Sequence, residues 1–172
     1  AHTLPQVQAD YVLLLNLFRD QLDRCGEIDR VQDAIATALE QSPNTTLLYN
    51  ADDPLCAIIA QRVPNKSVAF GVGEDMHQRQ NVVADAQMCQ RCSAMFTYGY
   101  RQYGQLGTYS CPNCGFSRPD LDFAAKSVVF GDEITFSVEE TATGKSVDLH
   151  AQRAGSYMVY NVMAAWLASH CA

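Results

Sequence analysis

The chain lacks any run of the roughly 18 apolar residues that a membrane span needs. Basic charge is scarce as well: 12 Lys and Arg face 19 Asp and Glu, leaving a net charge of −7. A surface of that sign repels polyanions, which argues against general binding to nucleic acid or anionic membranes. Histidine is sparse, and His2, His77, His150 and His170 stand at no metal-ligand spacing. A complete phosphate-binding loop is missing too. Gly144-Lys145-Ser146 resembles the tail of one, but the glycine required five residues earlier is Glu139. No low-complexity tract interrupts the chain, and its hydrophobic content of 48% suffices for a real core. Ala1 to Asp10 has neither a basic nor an apolar leader segment.

Cysteine is what the chain has in quantity. Of its seven, four form two Cys-x-x-Cys pairs: Cys89 with Cys92 and Cys111 with Cys114, eighteen residues apart. Two cysteines three apart on a tight turn can aim both sulfurs at one tetrahedral ion, and a second such turn closes the site. Between the pairs, Phe96, Tyr98, Tyr100 and Tyr109 alternate around Gly104 and Gly107, as in a short β-ribbon. Two disulfides are the alternative and would need an oxidising compartment. Cys25, Cys56 and Cys171 read as small buried hydrophobes. Free cysteine beside a metal site suits a reducing, cytoplasmic setting.

Around this insert, placed at residues 84–119, the pattern is that of an α/β domain formed by residues 1–83 and 120–172. Tyr11 to Leu15 is a continuous apolar run, expected as a strand buried on both faces of a parallel sheet. A helix is predicted over Glu27 to Gln41, with Ile28, Val31, Ile35, Ala38 and Leu39 on one face. Thr46 to Tyr49 reads as a second strand, Pro54 to Gln61 as a helix opened by proline, and Lys66 to Phe70 as a third strand breaking at Gly71. Strand and helix alternate as in a βαβαβ unit. The period then changes: Ile134 to Val138 and Val147 to Leu149 alternate as an antiparallel hairpin, and a helix follows from Tyr157. The expected fold is therefore a partial parallel sheet flanked by helices, with an inserted zinc ribbon and a C-terminal hairpin plus helix. Half a doubly wound sheet exposes an edge, through which two copies could associate.

Two clusters of carboxylates follow strand ends, Asp20 with Asp23 and Asp52 with Asp53. That is where α/β folds place ligands, and such groups can hold a hydrated Mg²⁺ or a ribose. Helix capping is the favoured reading from spacing alone, Asp52 or Asp53 before Pro54 above all. The ribbon's aromatics, with Arg91, Arg101 and Arg118, could stack on bases or simply fill the ribbon's own small core.

Taken in order, Asn16 to Arg24, Asn50-Ala-Asp-Asp-Pro54, Phe70-Gly71 and Gly155 to Asn161 with Ala164-Ala165 resemble the landmarks of the Mur ligase central domain. With a four-cysteine ribbon between the third and fourth, the chain looks like the MurT-type subunits of lipid II isoglutaminyl synthase. The resemblance implies an ATP-binding ligase with Mg²⁺, paired with a GatD-type glutaminase. Such a complex amidates the D-glutamate α-carboxyl of lipid II at the membrane surface. It places Asn16, Asp20 and Asp23 near the phosphates and substrate, Asn50, Asp52 and Asp53 on the nucleotide side, and Tyr157 and Asn161 near the adenine. It implies a structural Zn²⁺ at Cys89, Cys92, Cys111 and Cys114. The chain departs from the family at Gln21, where many members carry histidine, and at Met158, often asparagine. It also has no lysine from Val31 to Gln41. Because the family's phosphate-binding loop is absent, the chain is expected to be a fragment that does not hydrolyse ATP. Alternative readings are a zinc-ribbon module that binds nucleic acid or protein, and a Mur-type ligase that adds amino acids.

Overall fold

Alternation along the strands sorts the apolar residues into two cores, one on each face of a single sheet. The computed structural model describes residues 4–7, 9–17, 28–77, 87–152 and 154–172. After a helical turn, α1 (Leu4–Val7), come β1 (Tyr11–Leu14), α2 (Ile28–Glu40), β2 (Thr46–Asn50), α3 (Pro54–Arg62) and β3 (Ser67–Val72). The ribbon supplies β4 (Thr97–Tyr103) and β5 (Leu106–Ser110). The chain finishes with β6 (Phe123–Phe130), β7 (Glu133–Glu140), β8 (Lys145–Gln152) and α4 (Tyr157–Cys171).

The large sheet runs β1-β2-β3-β6-β7-β8. Its first four strands are parallel and the last two antiparallel. The expected hairpin is thus no appendage. β6 joins it to the parallel half, pairing Phe70 with Phe123 on one side and Phe123 with Glu140 on the other. β3 also continues through Gly71 and Val72, because β6 gives those residues a partner.

β1 departs from expectation in burial. It lies at the end of the sheet order, and Tyr11 and Leu13 are exposed. An apolar run cannot tell a central strand from an edge one, since only the neighbours decide.

Period 2 directs successive β2 side chains to opposite faces. Leu47 and Tyr49 join Leu39 of α2 and Cys56 and Ile59 of α3. Leu48 joins Phe70, Val72, Ile134 and Phe136, with Val159, Tyr160, Met163 and Leu167 of α4. The first core does not stop at the α/β domain. Phe96, Tyr109, Phe116, Cys89 and Cys111 of the ribbon belong to it. No helix is long and apolar enough to cross a membrane, among the described residues.

Candidate functional site

The two cysteine turns are built alike. In the first, Ser93 N–H donates to the Cys89 carbonyl (2.7 Å) and Cys89 N–H to the Ala94 carbonyl (2.8 Å). In the second, Gly115 N–H donates to Cys111 (3.1 Å) and Cys111 N–H to Phe116 (2.7 Å). The residue after each second cysteine takes a positive φ, 60° at Ser93 and 74° at Gly115, which turns the chain back around the sulfurs.

All four Sγ atoms lie within 4.8 Å of one another. Cys89 and Cys114 approach to 3.6 Å, and Cys92 and Cys111 to 3.4 Å. Tetrahedral zinc thiolates require edges of roughly 3.8 Å, so the donor set fits one such ion with little adjustment. Burial pushes the Cys89 thiol up to about 12, whereas a bond from the Asn113 side chain holds Cys92 down at about 6. Cys92 is therefore readier than Cys89 to act as a thiolate, and a metal would have to displace the proton of Cys89.

The strand ends form a second, fully buried centre. Asp52 follows β2 and is wholly inaccessible. Its Oδ1 accepts from Arg118 Nη1 (2.9 Å), and its Oδ2 from Val72 N–H (2.9 Å) and Tyr160 O–H (2.7 Å). One carboxylate thus ties together β2, β3, α4 and the exit of the ribbon. Burial raises the Asp52 pKa, while the Arg118 charge and the three donors pull the other way. Arg118 is held above the ordinary arginine range, because Asp52 and Tyr100 outweigh the cost of its burial. Gly71 makes the packing feasible, since a Cβ there would sit 2.5 Å from Asp52 Oδ1.

Asp53 is the cap of α3, with Oδ1 accepting from Leu55 N–H (2.9 Å). Its Oδ2 accepts from Leu17 N–H (2.8 Å), just beyond β1. Burial outweighs these bonds and pushes its pKa up to about 6. Gln105, at the ribbon's turn and also inaccessible, donates from Nε2 to the Leu17 carbonyl (2.9 Å). Gly107 N–H donates to the Asp52 carbonyl (3.0 Å). Asn50 is buried, its Oδ1 accepting from Asp52 N–H (3.1 Å).

Of the residues singled out from sequence, Asn16, Asn50, Asp52 and Asp53 therefore come together at the ends of β1 and β2. Asn16 is half-buried and precedes the anchored Leu17. Tyr157 and Asn161 stand exposed on the first turns of α4, Tyr157 with its ring 6.2 Å from that of Tyr103. Asp20 and Asp23 lie outside the described residues. The carboxylates of Asp52 and Asp53 are bonded to protein donors rather than presented to solvent.

Sequence reasoning missed Gln105 and Tyr160, and read Arg118 and Tyr100 only as parts of the ribbon. The ribbon, read from sequence as an insert at residues 84–119, rests its turn and exit on the strand ends. The ribbon aromatics are likewise committed. Phe96, Tyr98, Tyr109 and Phe116 pack with centroids 5.2–6.4 Å apart. Arg91, Arg101 and Arg118 each lie over a ribbon ring. The only available signal was a lone cation at the ribbon exit, and no local pattern couples it to a carboxylate 66 residues away.

This sheet with its flanking helices is a fold shared with a solved peptide ligase. The fold matches a pseudomurein peptide ligase type C from Methanothermus fervidus with a TM-score of 0.70, at 22% identity, over 95% of this chain and 31% of that one. No protein-family model matches the chain.

Closer relationship in sequence points to one kind of subunit. The chain is 31% identical over 163 residues to the lipid II isoglutaminyl synthase (glutamine-hydrolyzing) subunit MurT of Streptococcus pneumoniae (strain ATCC BAA-255 / R6). It is 28% identical over 164 residues to the MurT subunit of Staphylococcus aureus (strain COL). The matches cover 92% and 95% of this chain, and 35% and 36% of those proteins. The chain thus spans about a third of the length of the curated relatives it matches.

Proposed function

We propose that this chain is a segment of the ligase subunit of an ATP-dependent amidoligase acting on the D-glutamate α-carboxyl of lipid II. The observation that carries the reading is the 31% identity to a MurT subunit across 92% of the chain. The chemistry follows from the substrate. A carboxylate oxygen is a poor leaving group, so the γ-phosphoryl of ATP is first transferred to it, giving an acyl phosphate and ADP. Ammonia, released from glutamine by a GatD-type partner, then displaces phosphate and forms the amide. Mg²⁺ supplies charge neutralisation at the phosphates.

This chain's own part is positional. Asn16 lies just beyond the end of β1, on the side assigned to the phosphates and the carboxyl group, and Asp20 and Asp23 follow it in sequence. Asn50 with Asp52 and Asp53 shapes the end of β2 from beneath, because the two carboxylates are turned into protein. Tyr157 and Asn161 offer an accessible face for the adenine. The four cysteines hold a structural Zn²⁺: four thiolates leave no open position for water. Without a phosphate-binding loop, the 172 residues alone do not turn over ATP.

The test uses the longer protein that carries this chain, with its glutaminase. Amidated lipid II should appear by mass spectrometry only with ATP and glutamine together, and the 172-residue chain should release no phosphate from ATP. Incorporation of an amino acid instead of ammonia would overturn the reading in favour of a peptide-adding ligase.

A further inference from the structure

The ribbon is knotted at one end by the four cysteines and seated at the other on Leu17, just after β1. Its hairpin turn carries Gln105, whose Nε2 holds the Leu17 carbonyl, while Asp53 holds the N–H of the same residue. Leu17 is thus gripped at both of its backbone polar groups, once from the α/β domain and once from the ribbon. The turn itself is fixed by Tyr98 O–H donating to the Gln105 carbonyl (3.1 Å) and by Gly107 N–H on the Asp52 carbonyl (3.0 Å). Gly107 tolerates this seat because its φ is 154° and a Cβ would run into the Tyr100 carbonyl. From the second cysteine turn the chain returns along β5, with a bridge between Ser110 and Ser117 and Arg118 N–H on the Tyr109 carbonyl (3.0 Å). That return aims Arg118 at Asp52.

We propose that Gln105 and Arg118 are positioning residues through which metal loading of the cysteine centre sets Leu17, just after β1, and the end of β2. A metal fixes where β4 begins relative to where β5 returns, and hence where the turn and the exit of the ribbon fall. The coupling rests only on the metal-binding part of the proposed function and not on the ligase reaction. By linkage it runs both ways: whatever loading contributes to the Leu17 grip, the grip contributes to metal affinity.

The experiment uses the 172-residue chain with zinc as the probe, read by amide hydrogen exchange. A zinc titration of the unaltered chain first establishes that the centre loads, separately from any nucleotide chemistry. Chelating the zinc should speed exchange at the Leu17 and Gly107 amides by roughly tenfold or more, while the paired amides of β7 and β8 keep their rates. Gln105→Met, similar in length but without the donor, should speed Leu17 exchange with zinc bound and weaken zinc affinity by about fivefold or more. A turn that serves only as packing would leave zinc affinity unchanged. The proposal falls if chelation leaves Leu17 exchange as it was, or if Gln105→Met binds zinc as the unaltered chain does. The chelation arm needs no variant, so it decides the matter even if Gln105→Met fails to fold.

Discussion

Asp52 concentrates more of the molecule's energetics than any carboxylate on the surface, because its charge is buried against one cation and two further donors. Removing one partner of such a pair strands the other in a poorly solvated place, which typically costs about 3–5 kcal/mol. Asp52→Ala should therefore lower the free energy of unfolding by about that much in urea, and Arg118→Met by less, since Tyr160 and Val72 still serve Asp52. Equal costs would mean that Tyr160 and Val72 contribute nothing. Asp53 makes a prediction in pH. Its folded pKa of about 6 lies above the ordinary 3.8, so its contribution to stability is fully present below 3.8 and is lost as pH rises through 6. The loss amounts to at most about 3 kcal/mol. Asp53→Asn keeps a good helix cap and should flatten this part of the stability profile between pH 4 and 7, which denaturant midpoints across that range would show.

At the scale of elements, the ribbon behaves as part of the domain's core rather than as a tethered finger. Phe96, Tyr109 and Phe116 share one apolar cluster with Leu47, Tyr49 and Ile59. Cys111→Ser should therefore release zinc and lower the unfolding midpoint of the whole chain, by several kcal/mol in free energy. A separate early transition, with the sheet melting where it did before, would return the ribbon to the status of an independent insert. The hairpin of β7 and β8 is the counterpart at the other edge. Its alternating pattern was plain in the residues, yet its attachment through β6 was not, because Phe123 to Ala125 form a short buried run with no period of their own.

For the molecule as a whole, charge and committed side chains agree. A net charge of −7, with the ribbon's three arginines stacked on its own rings, leaves little to offer a nucleic acid. Titration with single-stranded RNA at two salt concentrations should show no salt-dependent binding. Affinity that falls steeply with salt would revive the nucleic-acid reading. The exposed edge of β1, with Tyr11 and Leu13, is the other feature that belongs to this scale, and it is a consequence of neighbours rather than of the strand's own residues.

Much is legible in the sequence. The doubled Cys-x-x-Cys spacing determined the metal-competent centre, because three-residue spacing on a turn leaves the sulfurs few other places to go. Apolar runs and their change of period determined the βαβαβ unit, the hairpin and the last helix, and Pro54 with an aspartate before it determined the start of α3. Tertiary structure alone decided where the ribbon rests. Whether Asp52 faces a ligand or Arg118, and whether Gln105 faces solvent or Leu17, depends on contacts between residues 66 and 88 positions apart. Local propensity carries no information over such distances, whereas burial does: a carboxylate with no access to water must find its donors wherever the fold brings them.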